Sequence, residues 1–285
     1  MERYDINSLP LIAQGGEADI YDIGDGKILR VLRNQKGRSF RTEKHLFPLL
    51  EEHNICVPVA YEYIETEDMT AITMQKITGI TMLEQLKRHP LQIVSGIKKF
   101  ASMHSQLLNI HSNSELNSIY DIVDHFTSQA SHMDEKLLDF VLNLLKELPA
   151  DDYICHGDFH PGNILIQDNS YYIIDWGAAY RSNYVSDIAH TYLLMTNVPT
   201  IPGQNRMQHL LISGIGLITA KTYLKQVLKL KKFSLTDFSK WTVIMALKRV
   251  YYGIPSEKSA RIKYINKCYE LSLKKTDVAM WYKYL

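Results

Sequence analysis

The hydrophobic periodicity of the chain changes near residue 79, and this change limits the folds that its 285 residues can adopt. Before it, short runs of β-branched, aromatic or alternating residues, separated by glycine turns, predict strands at 20–23, 27–32, 61–64 and 70–77. One helix, 39–53, interrupts them, and Pro48 is expected to kink or break it. After residue 79, apolar residues recur at helical spacing and predict helices at 80–88, 91–109, 119–132, 135–148, 186–196, 207–230, 235–252 and 257–274. Three short strands are expected among these helices, at 153–155, 164–167 and 171–174.

The expected fold class is therefore α+β with two lobes. Residues 1–76 are predicted to form a small β-rich lobe, and residues 77–285 a larger, mainly helical lobe. Apolar residues make up 46% of the chain and charged residues 22%, which is typical of globular proteins. The three cysteines are scattered and odd in number, so we expect no disulfide framework.

No membrane association is expected. The longest mostly apolar run, 210–220, has 11 residues, whereas a bilayer-spanning helix needs about 20. The N-terminal residues lack the apolar stretch of a signal peptide. We therefore expect a cytoplasmic protein.

Charge is unevenly distributed, although the formal net charge is only +1. Residues 221–285 hold 15 Lys and Arg against 4 Asp and Glu, whereas residues 81–220 hold 8 against 14. Solvated helix faces explain the basic segment, because no nucleic-acid-binding motif surrounds its lysines. We therefore expect no nucleic-acid partner, and the sequence does not specify an oligomeric state.

A polar, turn-forming segment, CHGDFHPGNIL at 155–165, lies between apolar strands. Asp175 follows ten residues after its end, behind the last predicted strand. The strands at 164–167 and 171–174 are close enough to pair as a hairpin. Pairing would place Asn163, before the first strand, near Asp175, after the second. Asp158 lies five residues upstream of Asn163, on the loop.

These side chains fit the needs of phosphoryl transfer, in which the protein supplies positioning and magnesium to stabilise a spread negative charge. Magnesium takes few oxygen ligands from the protein, and the Asn163 amide and the Asp175 carboxylate can supply them. Asp158 can orient an acceptor hydroxyl and take its proton. A zinc cluster within 155–160 is the alternative, but the spacing matches no known zinc motif.

The segment HGDFHPGN, followed by IIDWG, resembles the catalytic loop and metal motif of the aminoglycoside phosphotransferase and choline kinase family, which shares the protein-kinase fold. The resemblance implies a bilobal protein-kinase-like fold, with ATP or another nucleoside triphosphate and Mg²⁺ as cofactors. It assigns catalysis to Asp158 and metal binding to Asn163 and Asp175. Asp187 resembles a structural aspartate of the family and is expected to cap a helix or brace the loop. The resemblance covers residues 11 to about 195.

The resemblance extends to a phosphate-covering loop in the sequence AQGGEA. It implies that Gly15, Gly16, Glu17 and Ala18 lie beside the nucleotide phosphates, where glycine lets backbone N–H groups approach. A plain Gly-Gly hairpin turn is the alternative.

Arg30 stands where the family has its ATP-binding lysine, which is a departure from the family pattern. Arginine is permanently charged and can hold phosphate bidentately, so it can fill the role; the alternative is an exposed strand arginine. Glu43 resembles the glutamate that pairs with this basic residue. Residues 74–79 resemble the hinge, where backbone groups of Gln75 and Ile77 would contact adenine.

The leading prediction is an ATP- and Mg²⁺-dependent O-phosphotransferase acting on a hydroxyl of a small molecule. The acidic bias of residues 81–220 is compatible with an aminoglycoside or another amino-bearing acceptor. Choline, ethanolamine, sugars and homoserine-type compounds are alternative acceptors. A non-catalytic, pseudokinase-like nucleotide-binding regulatory protein is the alternative from another class, and Arg30 favours it. A protein kinase is disfavoured, because no Ala-Pro-Glu segment follows Asp175.

Overall fold

The structure, a computed structural model, describes residues 4–15, 17–33, 39–67, 69–112, 116–128, 133–196 and 206–285, and for 128 and 206–213 it describes the helix without its side chains. Packing divides the chain into two compact units. The N-terminal unit comprises Met1–Lys87 and Pro161–Gly177, and the C-terminal unit comprises Arg88–His160 and Ala178–Leu285. The predicted functional lobes, 1–76 and 77–285, remain a prediction, since these units are defined by packing alone.

The described elements confirm an α+β chain that is β-rich in its N-terminal part and mainly helical in its C-terminal part. The strands are β1 (Leu11–Gln14), β2 (Ala18–Gly24), β3 (Lys27–Leu32), β4 (Ala60–Glu65), β5 (Thr70–Gln75), β6 (Ile80–Thr81), β7 (Tyr153–Cys155), β8 (Ile164–Gln167), β9 (Ser170–Ile173) and β10 (Tyr180–Ser182). The helices are α1 (Arg41–Glu52), α2 (Met82–Arg88), α3 (Ile93–Leu107), α4 (Ile119–Ser128), α5 (Glu135–Lys146), α6 (Tyr184–Thr196), α7 (Arg206–Leu230), α8 (Leu235–Tyr252) and α9 (Pro255–Leu273). None of these helices is long and apolar enough to cross a membrane.

The larger sheet of the N-terminal unit is antiparallel and five-stranded, in the order β1-β2-β3-β5-β4. Leu29 and Val31 on β3 and Ala71 on β5 lie in its core. Because neighbouring residues of a strand point to opposite faces, Arg30 lies on the face opposite Leu29 and Val31. A central strand thereby places the positive charge of Arg30 on the face of the sheet opposite this core.

Helix α1 runs through Pro48 without a break, so the expected break does not occur. Its buried face is formed by Glu43, Leu46, Phe47 and Leu50, at the spacing of one helix face. Proline costs the helix one backbone hydrogen bond, and apolar residues buried on both sides of Pro48 hold the helix together. Glu43 is the only charged member of this face.

A second sheet of the N-terminal unit, in the order β6-β8-β9, contains the predicted hairpin. Ser170 pairs with Gln167, so the turn consists of Asp168 and Asn169 alone and Ser170 belongs to the strand. Both turn residues have a positive φ, 50° and 63°. This is the conformation of a two-residue type I′ turn, which Asn and Asp tolerate.

The C-terminal unit is built around α6 and α8, which pack on one another and on α7 and α9. Trp241 and Ile244 of α8 and Ile188 of α6 are fully buried there. Strands β7 and β10 form a short antiparallel pair at its edge. The residues after β7 form the loop that carries Asp158.

Candidate active site

The β8-β9 hairpin brings the two predicted metal ligands to the same end of one small sheet. The carbonyl of Asn163, directly before β8, accepts a hydrogen bond of 3.0 Å from the N–H of Ile174, directly before Asp175. Asp175 itself has a φ of +66°, a left-handed conformation that is uncommon for an aspartate. The ring of the next residue, Trp176, is buried, and its Nε1 donates to the carbonyl of Ile173 at 3.1 Å. The side chains of Asn163 and Asp175 therefore start from a fixed backbone.

Arg30 connects this hairpin end to helix α1. Its Nη2 lies 2.9 Å from Oδ1 of Asp175, and its Nη1 lies 3.1 Å from Oε1 of Glu43. The guanidinium also lies over the ring of Phe40, with Cζ 5.3 Å from the ring centroid. Arg30 is thus not an exposed strand arginine: its side chain is only 14% exposed, and it bridges two carboxylates.

Glu43 is the buried partner of that bridge. Burial raises the pKa of Glu43 more than the positive charge of Arg30 lowers it, and the Asp175 carboxylate raises it further. Asp175, by contrast, has a side chain that is 48% exposed. Arg30 therefore joins a buried carboxylate to one that a ligand from solution can reach.

The predicted phosphate-covering loop joins β1 to β2. The N–H of Gly15 donates to the carbonyl of Ala18 at 2.8 Å, and Ala18 is buried at the start of β2. Gly16 lies outside the described residues. The Oε2 atom of Glu17 lies 3.2 Å from the position that a Cβ at Gly177 would take. The loop and the segment after Asp175 are thereby neighbours within the N-terminal unit.

The predicted hinge differs between its two residues. The N–H of Gln75 donates to the carbonyl of Val59 at 2.8 Å, so this donor is already used within the sheet. The next N–H, of Lys76, donates to the carbonyl of Gly26 at 2.8 Å. Ile77 forms no backbone hydrogen bond to any described residue. Of the two predicted adenine contacts, the structure leaves Ile77 with both backbone groups available.

The loop that carries Asp158 belongs to the C-terminal unit, and its backbone is hydrogen-bonded to the carboxylate of Asp187 on α6. Oδ2 of Asp187 accepts from the N–H of His156 at 2.7 Å, and Oδ1 accepts from the N–H of Gly157 at 3.0 Å. Nε2 of His104 lies 3.0 Å from the same Oδ2. Asp187 is fully buried. Its predicted role as a brace for the loop agrees with these contacts.

Burial by itself raises the pKa of Asp187, but the hydrogen bond and charge of His104, with the charges of His156 and His190, outweigh it and hold this pKa well below the ordinary range. The brace is therefore a carboxylate at neutral pH. Two backbone donors and one histidine satisfy it, as a buried charge requires.

Asp158 is also held in its charged form. Burial raises its pKa, but the adjacent His160 imidazole, with the charges of His190 and His156, lowers it well below the usual range. Nε2 of His160 lies 3.6 Å from Oδ2 of Asp158, and both side chains are about one-third exposed, at 35% and 32%. Asp158 is therefore an accessible carboxylate on an anchored loop.

Two contacts to the loop, and one to His104 behind it, were not predicted from the sequence. The hydroxyl of Thr191 donates to the carbonyl of Phe159 at 3.0 Å, and the phenol of Tyr223 lies 2.7 Å from Nδ1 of His104. Nζ of Lys248 donates to the carbonyl of Gly157 at 3.2 Å. Each partner comes from a helix distant in sequence, and helical periodicity does not distinguish such a polar residue from a solvated one.

The donor chemistry near Asp175 fits a magnesium ion. The Asp175 carboxylate and the Asn163 amide are hard oxygen donors, which magnesium prefers. Oδ2 of Asp175 has no hydrogen-bond partner among the described residues. The described residues contain no group of three or more His, Cys, Asp or Glu side chains placed to hold a metal, and this includes the segment 155–160.

Comparison with solved structures shows the fold. The chain resembles an amicoumacin kinase in complex with AMP-PNP, Ca²⁺ and amicoumacin, at 14% identity over 96% of this chain and 90% of that chain, with a TM-score of 0.63. It resembles a thermostable mutant of an aminoglycoside phosphotransferase at 12% identity over 94% of each chain, with a TM-score of 0.62. A choline/ethanolamine kinase family protein from Mesorhizobium loti matches at 11% identity over 98% and 86%, with a TM-score of 0.57. These likenesses confirm the expected protein-kinase-like fold.

Among curated proteins, none matches this sequence. Residues 8–215 match the phosphotransferase enzyme family (APH), which is well over half of the chain. The match includes the anchored loop, the β8-β9 hairpin and Arg30. The chain therefore belongs to the phosphotransferase enzyme family.

Proposed function

We propose that the chain is an ATP- and Mg²⁺-dependent O-phosphotransferase that phosphorylates a hydroxyl group of a small molecule in the cytoplasm. The observation that carries this proposal is the hairpin end of the N-terminal unit. There a backbone hydrogen bond, from the N–H of Ile174 to the carbonyl of Asn163, holds together the two chain segments that carry an amide and an accessible carboxylate. Such a pair suits a metal that takes its other ligands from phosphates and water.

Each residue has a separate role in the proposal. Asp175 and Asn163 hold magnesium, which when bound neutralises charge on the nucleotide phosphates. Arg30, kept in place by Glu43, holds a phosphate oxygen through its guanidinium. Asp158 accepts a hydrogen bond from the acceptor hydroxyl, orients it and takes its proton. The anchored loop supports this role because a carboxylate on a fixed backbone loses little freedom when substrate binds.

The nucleotide is inferred from the glycine turn, the open backbone of Ile77 and the solved relatives. Among these relatives, one aminoglycoside phosphotransferase is described as a ternary complex with streptomycin and ATP, and another as ADP-bound. A third is described as a GDP complex. We propose ATP, with GTP as the alternative that a competition experiment resolves.

The acceptor is inferred from the same relatives and from charge. The solved relatives include complexes with amicoumacin, streptomycin and gentamicin. The acidic bias of residues 81–220 supports an amino-bearing acceptor. Choline or ethanolamine, sugars and homoserine-type compounds are the other acceptors that we would test.

One observation favours a second candidate, a nucleotide-binding regulatory protein without turnover. Arg30 occupies one oxygen of Asp175, so the cation and a metal ion compete for the same carboxylate. If the ion pair persisted in the presence of nucleotide, ATP would bind without being used.

A two-stage experiment tests the proposal. Thermal unfolding is followed with ATP alone, with Mg²⁺ alone and with both, because a ligand that binds only the folded state raises the melting temperature. Consumption of ATP is then measured against a panel of hydroxyl compounds that includes aminoglycosides. The enzyme proposal predicts a larger shift with both ligands and turnover with at least one acceptor. A shift in melting temperature without turnover supports the regulatory candidate. If the Kd is about 1 μM, a ligand concentration about 1,000 times higher should stabilise the fold by about 4 kcal/mol. The absence of any shift at that concentration contradicts both candidates.

A further inference from the structure

A lysine of the C-terminal helices is buried against the loop that carries Asp158. Lys248 lies on α8, outside the residues that match the family, and is only 6% exposed. Its Nζ donates to the carbonyl of Gly157 at 3.2 Å and lies 4.6 Å from the centroid of the Tyr180 ring. The proposed catalytic set gives this lysine no role.

The contact falls on the peptide group that joins Gly157 to Asp158. Lys248 holds its carbonyl, and on the other side the N–H of Asp158 donates to Nδ1 of His156 at 3.3 Å. Gly157 has a φ of +79°, and a Cβ there would lie 2.0 Å from the carbonyl oxygen of Ala178. This peptide group is therefore held at both ends in a conformation that only glycine can supply.

Lysine is a costly residue for this position. Removing an ammonium group from water costs several kcal/mol unless it is paired, and burial lowers the pKa of Lys248 to about 8. Among the described residues, the side chain forms no direct ion pair, and its one hydrogen bond goes to a neutral carbonyl. A methionine would fill similar space at lower cost, so packing alone does not explain a lysine.

The groups that act on Lys248 come from every element around it. Those whose charges act on the ammonium, or whose ring faces it, are Asp187 of α6, His190 of α6, Asp158 of the loop, Cys155 of β7, Tyr180 of β10 and Arg249 of α8. Burial raises the pKa of Cys155 and of Tyr180 well above their ordinary values and lowers that of His190 well below its own. These three are therefore neutral near pH 8. The two carboxylates favour the ammonium form, and Arg249 opposes it.

We propose that Lys248, in its protonated form, is a positioning residue that fixes the Gly157–Asp158 peptide group and thereby the direction of the Asp158 side chain. This inference rests on the proposed function, in which Asp158 acts on the acceptor hydroxyl. Loss of the proton weakens a charge-assisted hydrogen bond to an ordinary one. Turnover then falls while the nucleotide site is unaffected.

Stability and turnover change in opposite directions with pH under this proposal. A lysine whose folded pKa is about 8 and whose unfolded pKa is about 10.4 destabilises the fold below pH 8. As the pH rises from about 8 to about 10.4, the folded state has lost the proton and the unfolded state still binds it, so this contribution to stability increases. If Lys248 had only a structural role, turnover would instead rise together with stability as the pH increases.

The experiment compares the wild-type protein with Lys248→Met, Lys231→Met and Asp158→Asn, using Mg-ATP and the best acceptor of the screen, from about pH 7 to about pH 9.5. Lys231 is the matched control. It too has a pKa lowered to about 8 by burial and donates to a backbone carbonyl, but that carbonyl belongs to Leu108.

We expect Lys248→Met to lower kcat by about 10- to 100-fold, the scale of a misplacement of about 1 Å, with an unchanged Kd for Mg-ATP and an unchanged or higher Tm at pH 7. Wild type and Lys231→Met should lose turnover as the pH rises past about 8, and Lys248→Met should not. The inference is overturned if folded Lys248→Met retains wild-type kcat or the same alkaline loss. If Lys248→Met does not fold, a wild-type kcat that stays constant past pH 8 overturns it. Full activity of Asp158→Asn would instead refute the proposed function.

Discussion

The two units of the chain hold their proposed catalytic residues in different ways. In the N-terminal unit, Asp175 is half exposed and is paired with Arg30 alone among the described side chains. In the C-terminal unit, the backbone around Asp158 is tied to Asp187, which no solvent reaches. The side chain of Asp175 is held by an accessible ion pair, whereas the backbone that carries Asp158 is held by a buried network.

The difference has a physical consequence. An accessible ion pair contributes only about 0–1 kcal/mol and is readily replaced, whereas removing one partner of a buried charge costs about 3–5 kcal/mol. The N-terminal unit is therefore suited to groups that change partners when a ligand binds, as the proposed nucleotide and metal would. The C-terminal unit is suited to a loop that keeps its conformation through the reaction.

The largest expected effect separates the two roles. Asp158→Asn should lower kcat by about 10²- to 10⁴-fold, the usual contribution of general-base assistance, and leave Mg-ATP affinity unchanged. Asp175→Asn removes charge at the proposed metal site, so both kcat and Mg-dependent ATP affinity should fall. Titration calorimetry with and without Mg²⁺, beside steady-state kinetics, measures both quantities.

Asp168→Asn is the control for these variants, because Asp168 lies on the same hairpin in a turn that Asn also tolerates. It should behave as wild type in every assay. Normal Mg-ATP binding and turnover by Asp175→Asn would contradict its assignment as a metal ligand.

The next largest effect is on stability, and it tests the buried Asp187 network of the C-terminal unit. In Asp187→Asn, the amide NH₂ cannot accept the N–H of Gly157 or of His156, so a buried donor is left unpaired. We expect the free energy of unfolding to fall by about 1–3 kcal/mol, as measured by urea denaturation. Asp277→Asn, which changes an exposed aspartate that caps the last helical turn, should cost less than about 1 kcal/mol.

The same carboxylate predicts a pH dependence. The folded pKa of Asp187 lies below its unfolded value, so its stabilising contribution is present above the ordinary pKa of about 4 and is lost as the pH falls toward the folded pKa. The stability difference between wild type and Asp187→Asn should therefore narrow in acid. A difference that is constant with pH would show that Asp187 is not charged in the folded protein.

The smallest expected effect concerns the accessible ion pair of the N-terminal unit. Arg30→Ala should lower kcat/KM for ATP by about tenfold or more, the value of one charge-assisted hydrogen bond. The change also leaves Glu43 buried without its cation, which costs stability, and proton uptake by Glu43, whose pKa burial already raises, limits that cost. Lys27→Ala is the matched control: Lys27 lies on the same strand, but its ammonium faces the Tyr61 ring at 4.8 Å. If Lys27→Ala lost ATP use and Arg30→Ala did not, Lys27 would be the nucleotide-binding residue.

Local patterns were sufficient to predict the parts of the site that lie close together in sequence. The pairing of β8 with β9 follows from two alternating runs around Asp168 and Asn169, and it places Asn163 beside Asp175 without further information. The whole of β3 could be predicted for the same reason. The three-residue strand β10 could not, because its pairing with β7 is made across the intervening hairpin.

Contacts between distant segments were beyond prediction from local patterns. The family resemblance identified Arg30 and its partner Glu43, but only the folded chain shows that Arg30 also pairs with Asp175. Lys248 follows a run of buried residues in α8 and precedes Arg249, and such a charged pair is normally taken for part of a solvated face. Its environment depends on how α8 packs against α6, β7, β10 and the loop that carries Asp158, and no spacing within α8 encodes it.

The discontinuity of the N-terminal unit has a consequence for synthesis of the chain on the ribosome. Strand β6 finds its partner only in β8, and the carbonyl of Cys56 accepts from the N–H of Ile173. These groups stay without their partners until about 100 later residues have been translated, which at about 5–20 residues per second takes between about 5 and 20 seconds. During that interval the first 87 residues expose an unpaired strand edge, so a nascent chain arrested before Pro161 should be a preferred substrate for chaperones and proteases.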